Sequence, residues 1–197
     1  MKKVLLSALL LTNFFFSHAQ EDSLVFFKKK SIDITKKSMV VLGGWAAANI
    51  IASAVSLNTH NNDVRYYHQM NIIWNSVNLT LAGLGYLSAA KNKIYNSDLA
   101  TILQHQYKTE KMFLFNTGID VAYIAAGAYL TEKSKSKINP SKLKGYGNAV
   151  MVNGGFLFLF DVVMYAVHYK HGKQLNSFIN KLQLTGTGAG ISLVYPL

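Results

Sequence analysis

Two carboxylates, Asp120 and Asp161, lie inside apolar stretches of about twenty residues whose interiors hold no lysine or arginine to pair with them. An acid so placed can serve three chemistries. It can be a neutral acid hydrogen-bonded to Asn or Tyr, gluing helices together, or a proton or cation stop on a path through a bundle. As one of a pair it can also work as a general acid or base. That third role needs a cavity lined by both acids and open to one side, and no nucleophile or substrate-shaped motif accompanies them. The chain has no cysteine, so thiol nucleophiles, disulfides, thiolate metal sites and a lipoprotein anchor are excluded. His60, His68, His105, His168 and His171 fall in expected loops or near stretch ends, and only His168 and His171 share a helical i, i+3 spacing. A structural metal site draws three or four ligands at tighter spacing. These histidines read as interface residues, and neither metal nor cofactor is expected. Glue, ion path and catalysis stay open for the two acids, with a non-enzymatic protein favoured.

The elements that must position these acids are four apolar spans, 39–57, 71–90, 111–130 and 147–168, each about the 20 residues that cross a bilayer core. Every span carries one polar stripe. In the second, Asn71, Asn75 and Asn78 recur at i, i+4 and i+7 and share one helical face. An amide left without a partner in hydrocarbon costs roughly 2–7 kcal/mol, so the stripe must face other protein. The first span places Trp45, Asn49, Ser53 and Ser56 near one face, the third Asn116, Asp120 and Tyr123, the fourth Asn153 and Asp161. The expected intramembrane polar cluster is therefore Asn49, Asn71, Asn75, Asn78, Asn116, Asp120, Asn153 and Asp161. Gly43, Gly44 and Ala46 to Ala48 are small enough to let a neighbouring backbone come close. Trp45 and Trp74 lie deep enough to be packing residues, while tyrosines near span ends suit the interface.

Composition agrees with a membrane class: 50% hydrophobic residues, 15% charged and mean hydropathy +0.17. The net charge of +11 sits between the spans, where lysines meet anionic lipid. No basic face interleaved with aromatics argues for nucleic acid. Residues 1–19 read as a cleaved secretory leader, with Lys2 and Lys3, an apolar run from Val4 to Phe16, and Ser17-His18-Ala19 before the cut. Residues 20–181 form the membrane domain. Within it, Leu24, Phe27, Ser31 and Ile34 suggest a short amphipathic helix. Leu99, Ile102, Leu103 and Gln106, capped by Ser97 or Asn96, suggest a second one lying at the membrane interface. Residues 58–70 and 131–146, the latter with five lysines and Pro140, read as solvent loops. The tail, 182–197, alternates and is glycine-rich, which favours a strand-turn-strand at the periphery or a strand that binds a partner.

Topology does not follow cleanly. A cleaved leader puts the mature N-terminus outside and leaves 12 Lys and Arg outside against 6 inside, the reverse of the positive-inside bias. Loose echoes between spans one and four, and between two and three, fit no duplication of two-helix units and read as chance. Gly43-Gly44-Trp45 with Asn49, His68-Gln69-Met70-Asn71 with Trp74, Asn75 and Asn78, Asn116 with Asp120, and Gly154-Gly155-Phe156 with Asp161 are one diffuse pattern. In it the chain resembles a family of small, uncharacterised bacterial four-helix membrane proteins. The resemblance covers nearly all of the mature chain and implies the fold; that family has no established activity, so it implies no mechanism. The expectation is an all-α four-helix transmembrane bundle with a cleaved leader and a small β-like tail. It would sit in the inner rather than the outer membrane, acting in interaction or structure, or alternatively as a small transporter or ion path. Its partners would be the lipid bilayer and a homo-oligomer or another membrane protein.

Overall fold

The computed structural model describes the backbone of residues 2–91, 98–180, 183–187 and 190–194, and the side chains of residues 24–91, 98–175 and 179. Four long helices make up most of the described chain: α1 (Lys2–Ser56), α2 (Asn62–Lys91), α3 (Leu99–Ser134) and α4 (Ser141–Asn180). Each starts or stops for a local reason. Asn61 Oδ1 accepts from the backbone of Asp63 and Val64 at the head of α2. Asp98 does the same for Thr101 at the head of α3, in extended geometry (φ −67, ψ 162). At the tail of α3, Lys135 N donates to Glu132 O and Ser136 N to Lys133 O, the tighter i→i+3 pattern that ends helices. Pro140 then precedes α4 and accepts from Lys144 N at 3.0 Å.

The helices are longer than the spans that the apolar runs mark out. The two short amphipathic helices are not separate elements: one is the early part of α1, the other the first turns of α3, and the cap is Asp98. Ser97 and Asn96 lie outside the described residues. No proline interrupts 24–56 or 99–134, and once nucleated a helix gains one bond per residue added. The two stripes face each other instead of lying on a membrane surface. Phe27, Ile102 and Leu175 form a buried cluster with Leu24, Leu99, Leu103 and Ile179 around it. Much of the expected loops 58–70 and 131–146 is likewise helical, leaving short connections at 57–61 and 135–140. The expected leader, 1–19, lies where side chains are outside the described residues. In the tail, Gln183–Thr187 and Gly190–Val194 pair antiparallel, with Gln183 opposite Val194 and Thr187 opposite Gly190.

Among the described residues, three helical stretches are long and apolar enough to cross a membrane: Leu24–Ser56, Leu99–Ser134 and Ser141–Leu175. The expected fourth, in α2, falls short by composition, because the asparagine stripe lowers its mean hydropathy. Its faces are nevertheless segregated. Asn71, Asn75 and Asn78 are buried, while Ile73, Val77, Leu81, Leu84 and Leu87 are exposed. The other helices share that inversion, with Val55 79%, Phe115 71% and Leu159 64% exposed. Apolar outside and polar inside is the reverse of a water-soluble helix.

α3 packs along α4, α1 along α2, and α4 bridges to α2. The closest approach is made by glycines. A Cβ on Gly127 would lie 2.6 Å from the carbonyl oxygen of Gly147, and one on Gly147 2.6 Å from that of Gly127. Gly145 meets the Asp63 carbonyl and Tyr66 of α2 in the same way. Beside it Lys144 Nζ bridges Asp63 Oδ2 at 2.7 Å, a hydrogen bond that holds the Asp63 carboxyl below its ordinary range. That half-exposed pair contributes about 0–1 kcal/mol, so backbone fit rather than charge holds the crossing. Of the expected close-packing glycines, Gly43 makes only ordinary contact with Ala82, and Gly44 faces open space.

Gly127→Ala and Gly147→Ala should therefore each destabilise the detergent-solubilised protein by about 1–3 kcal/mol. Gly44→Ala should leave the thermal midpoint unchanged or raise it. Equal midpoints for the three variants would show that the α3–α4 crossing is not set by these glycines.

Candidate functional site

The eight expected polar residues fall into two separate groups. The first is an amide network. Asn71 Nδ2 donates to Ser53 Oγ at 2.8 Å and Asn49 Oδ1 at 3.2 Å, and His68 Nδ1 lies 3.1 Å from the same Ser53 hydroxyl. Asn75 Nδ2 reaches Asn153 Oδ1 at 2.9 Å, and Asn153 Nδ2 returns to Asn71 Oδ1 at 2.7 Å. Asn49, Asn71, Asn75 and Asn153 thus join α1, α2 and α4, with Asn75 and Asn153 fully buried. Burial removes the competing water, and desolvation also holds the His68 imidazole below its ordinary pKa.

The second group is Asn78, Asn116, Asp120 and Asp161. It lines a cavity of about 770 Å³ to which all four helices contribute, α2 and α3 facing each other across it. Those two helices touch where the Trp74 ring meets Tyr123 edge-on, 4.8 Å between centroids. The antiparallel register of α3 on α4 brings the acids together. Gly127 lies against Gly147, Gly154 against Tyr123, and Phe113 stacks on His168 at 5.4 Å. Between these contacts the side chains of Asp120 and Asp161 come face to face. Asp120 is 3% and Asp161 6% exposed, and both line the cavity. Asp120 Oδ2 and Asn78 Nδ2 are buried and have no hydrogen-bond partner among the described residues. One cavity lined by both acids is part of the geometric requirement stated above for acid–base work. Two acids against each other, however, are not set apart around a reacting bond.

Asn153 and Asp161 were expected to align on α4, yet they serve different groups, two turns or about 12 Å apart. Two histidines depart from expectation, while His60 and His105 are exposed. His168 is fully buried, and His171 is buried with its ring stacked on Phe27 at 3.9 Å and its Nε2 3.1 Å from the Phe27 carbonyl. Among the described residues no group of three or more His, Cys, Asp or Glu could hold a metal ion. Trp45 stacks flat on Phe156 at 4.0 Å. His105, Lys108, Thr109 and Met112 also line the cavity and were not singled out for it. The signal was present, since they continue the Asn116, Asp120, Tyr123 stripe upstream at helical spacing. Setting the start of span three at Lys111 cut it off.

A double-mutant cycle on Asn75→Ala and Asn153→Ala tests whether the network is a coupled unit. Each single substitution should cost about 1–3 kcal/mol by stranding a buried partner. The coupling should be about 0.6 kcal/mol or more, as for interhelical bonds in membranes. Additive losses on chemical unfolding in micelles would sink the idea.

No curated protein and no solved structure matches the chain. A family model does match, over residues 41–162, and its description is a family of unknown function, DUF6992. The match runs from the middle of α1 to Val162, just past Asp161, and so takes in both polar groups. It spans more than half of the 197 residues, and the chain belongs to this family of unknown function.

Proposed function

We propose that this is a non-enzymatic integral membrane protein of the cell envelope whose bundle holds a ligand-binding cleft between α2 and α3. The observation that carries the reading is the cavity of about 770 Å³, apolar over most of its wall, with Asn78, Asn116, Asp120 and Asp161 among the residues that line it. Ligand sites have this character: 300–1,000 Å³, mostly apolar, with a few converging polar groups. A bundle evolved only for rigidity would fill the space, since unfilled volume costs packing energy. α2 enters the bilayer with its neighbours, the amides of Asn71 and Asn75 tied to α1 and α4. Ser76 and Thr80, on its outer face, return their hydroxyls to the carbonyls of Ile72 and Ser76 at 2.8 and 2.9 Å. A leader in residues 1–19 would deliver the chain to the envelope, and the inner membrane suits a helical bundle. The exposed apolar belt meets lipid and offers contact to a second copy or another membrane protein.

A second reading, a proton or cation path, is favoured by one observation, the two acids Asp120 and Asp161 together in the cavity wall. Asp120→Asn and Asp161→Asn are near-isosteric and decide between them. In vesicles loaded with a pH-sensitive dye and given a potassium diffusion potential, the wild type and both variants should admit protons no faster than protein-free vesicles. Proton entry in the wild type that either variant abolishes would establish the ion path instead.

Topology is tested at Ser136, exposed between α3 and α4. With Ser136→Cys the only thiol, a membrane-impermeant maleimide should label it only after spheroplasts are lysed. Labelling of intact spheroplasts would place this loop outside and remove the cleaved leader or one of the four crossings.

A further inference from the structure

The cleft keeps its charged side chains at opposite ends. His105 and Lys108 line it near the head of α3, while Asp120 and Asp161 line it deeper in the bundle. Lys108 and Asp120 are twelve residues apart on one helix, a rise of about 18 Å at 1.5 Å per residue. Between them the wall is apolar, built from Leu42, Val77, Leu81, Met112 and Ile119. Val77, Leu81 and Met112 are exposed, so this wall has area to offer a ligand. At the deep end the two acids present almost none, being 3% and 6% exposed, and the surface there belongs to Trp74, Tyr123, Leu157 and Phe160.

The shallow end offers a cation instead. His105 and Lys108 are i, i+3 neighbours on one helix face, and both are exposed. Lys108 makes no ion pair among the described residues. Lys28 of α1 lies near the same imidazole, so positive charge gathers there. The neighbouring threonines spend their protons on their own helices: Thr35 Oγ1 donates to the Ser31 carbonyl at 3.1 Å, and Thr109 Oγ1 to that of His105 at 2.9 Å. An anion at this end therefore pairs with Lys108. That lysine stands just before the span expected at 111–130, at the depth of lipid head groups, so a chain bound below it runs alongside the hydrocarbon. One lysine matches one negative charge, whereas a phosphate monoester brings about −1.5 to −2. From Lys108 to Tyr123 the cleft rises about 22 Å, which suits one extended alkyl chain better than a compact ring system.

We propose that the cleft binds a long-chain carboxylate, its head paired with Lys108 beside His105 and its chain running between α2 and α3 toward Trp74 and Tyr123. This rests on reading the cleft as a binding site, and the experiment separates the two claims.

The chain has two tryptophans, so Trp45→Phe leaves Trp74, at the deep end, as the one indole reporter. In nanodiscs of zwitterionic lipid at mildly alkaline pH, the protein is titrated with hexadecanoate, hexadecanol, hexadecylamine and hexadecyl phosphate. Each is brominated near its methyl end, so that a bound chain quenches the indole on contact. Hexadecanoate should quench saturably and about tenfold or more tightly than the alcohol, the worth of one bond to a charged group. Lys108→Gln should bring it down to the level of the alcohol, and Lys108→Arg should keep the preference. Hexadecanoate brominated beside its carboxyl should quench far less. Comparing the probes on the protein that keeps Lys108 decides the matter even if the Gln variant does not fold. Equal binding of carboxylate and alcohol, tighter binding of the amine or the phosphate, no effect of Lys108→Gln, or stronger quenching by the head-brominated chain overturns the carboxylate at Lys108 and leaves the cleft as a binding site. Quenching that rises without saturation for all four is partition into lipid only, and overturns both.

Discussion

A polar group removed from water must find a partner, and the rest of this structure depends on how that demand is met. An unpartnered amide in an apolar medium costs roughly 2–7 kcal/mol. Four asparagines left so would cost roughly 8–28 kcal/mol, comparable to or larger than the 5–15 kcal/mol that typically separates folded from unfolded protein. Here Asn49, Asn71, Asn75 and Asn153 are joined across α1, α2 and α4. Rotating α2 about its axis would strand several amides at once. The network therefore fixes the rotation of α2 more firmly than apolar contact can, because lipid and leucine are equivalent surroundings for an apolar face.

α3 is held differently, and the difference makes room. It contributes none of the four asparagines of the network and is fixed by the Gly127–Gly147 crossing and the contacts that follow along α4. Glycine brings the backbones close only toward the C-terminal end of α3. Further toward its N-terminus the same broad face, bearing Met112, Asn116 and Ile119, lines the cavity instead. Hydrogen bonds fasten α1, α2 and α4 together and backbone contact fastens α3 to α4, so the seam between α2 and α3 is where volume remains.

Much of this was legible in the sequence, and the rest failed for physical reasons. The asparagine stripe at Asn71, Asn75 and Asn78 announces an inward face, and that face is buried. What spacing cannot say is which partner each polar group meets. Asn75 and Asn78 are three residues apart, yet one joins the network and the other lines the cavity. The helices run past the span ends placed where charged residues begin, as at Lys111, because charge does not stop a helix that continues beyond a bilayer. The close glycines were sought in Gly43-Gly44, while the tight crossing uses Gly127 and Gly147, isolated in sequence and paired only by the antiparallel register. Averaged hydropathy undervalues α2 because it blends a buried polar face with an exposed apolar one.

The two aspartates are the hardest feature to assign to stability alone. Replacing a buried polar pair by well-packed apolar residues is often neutral or stabilising. Helix cohesion is already provided nearby by the amide network and the glycine crossing. The pair also stands apart from that network, in the wall of the cavity of about 770 Å³, with Asp120 Oδ2 left without a partner among the described residues. A group placed where it stabilises least, and left incompletely satisfied beside open volume, is arranged for something that enters that volume.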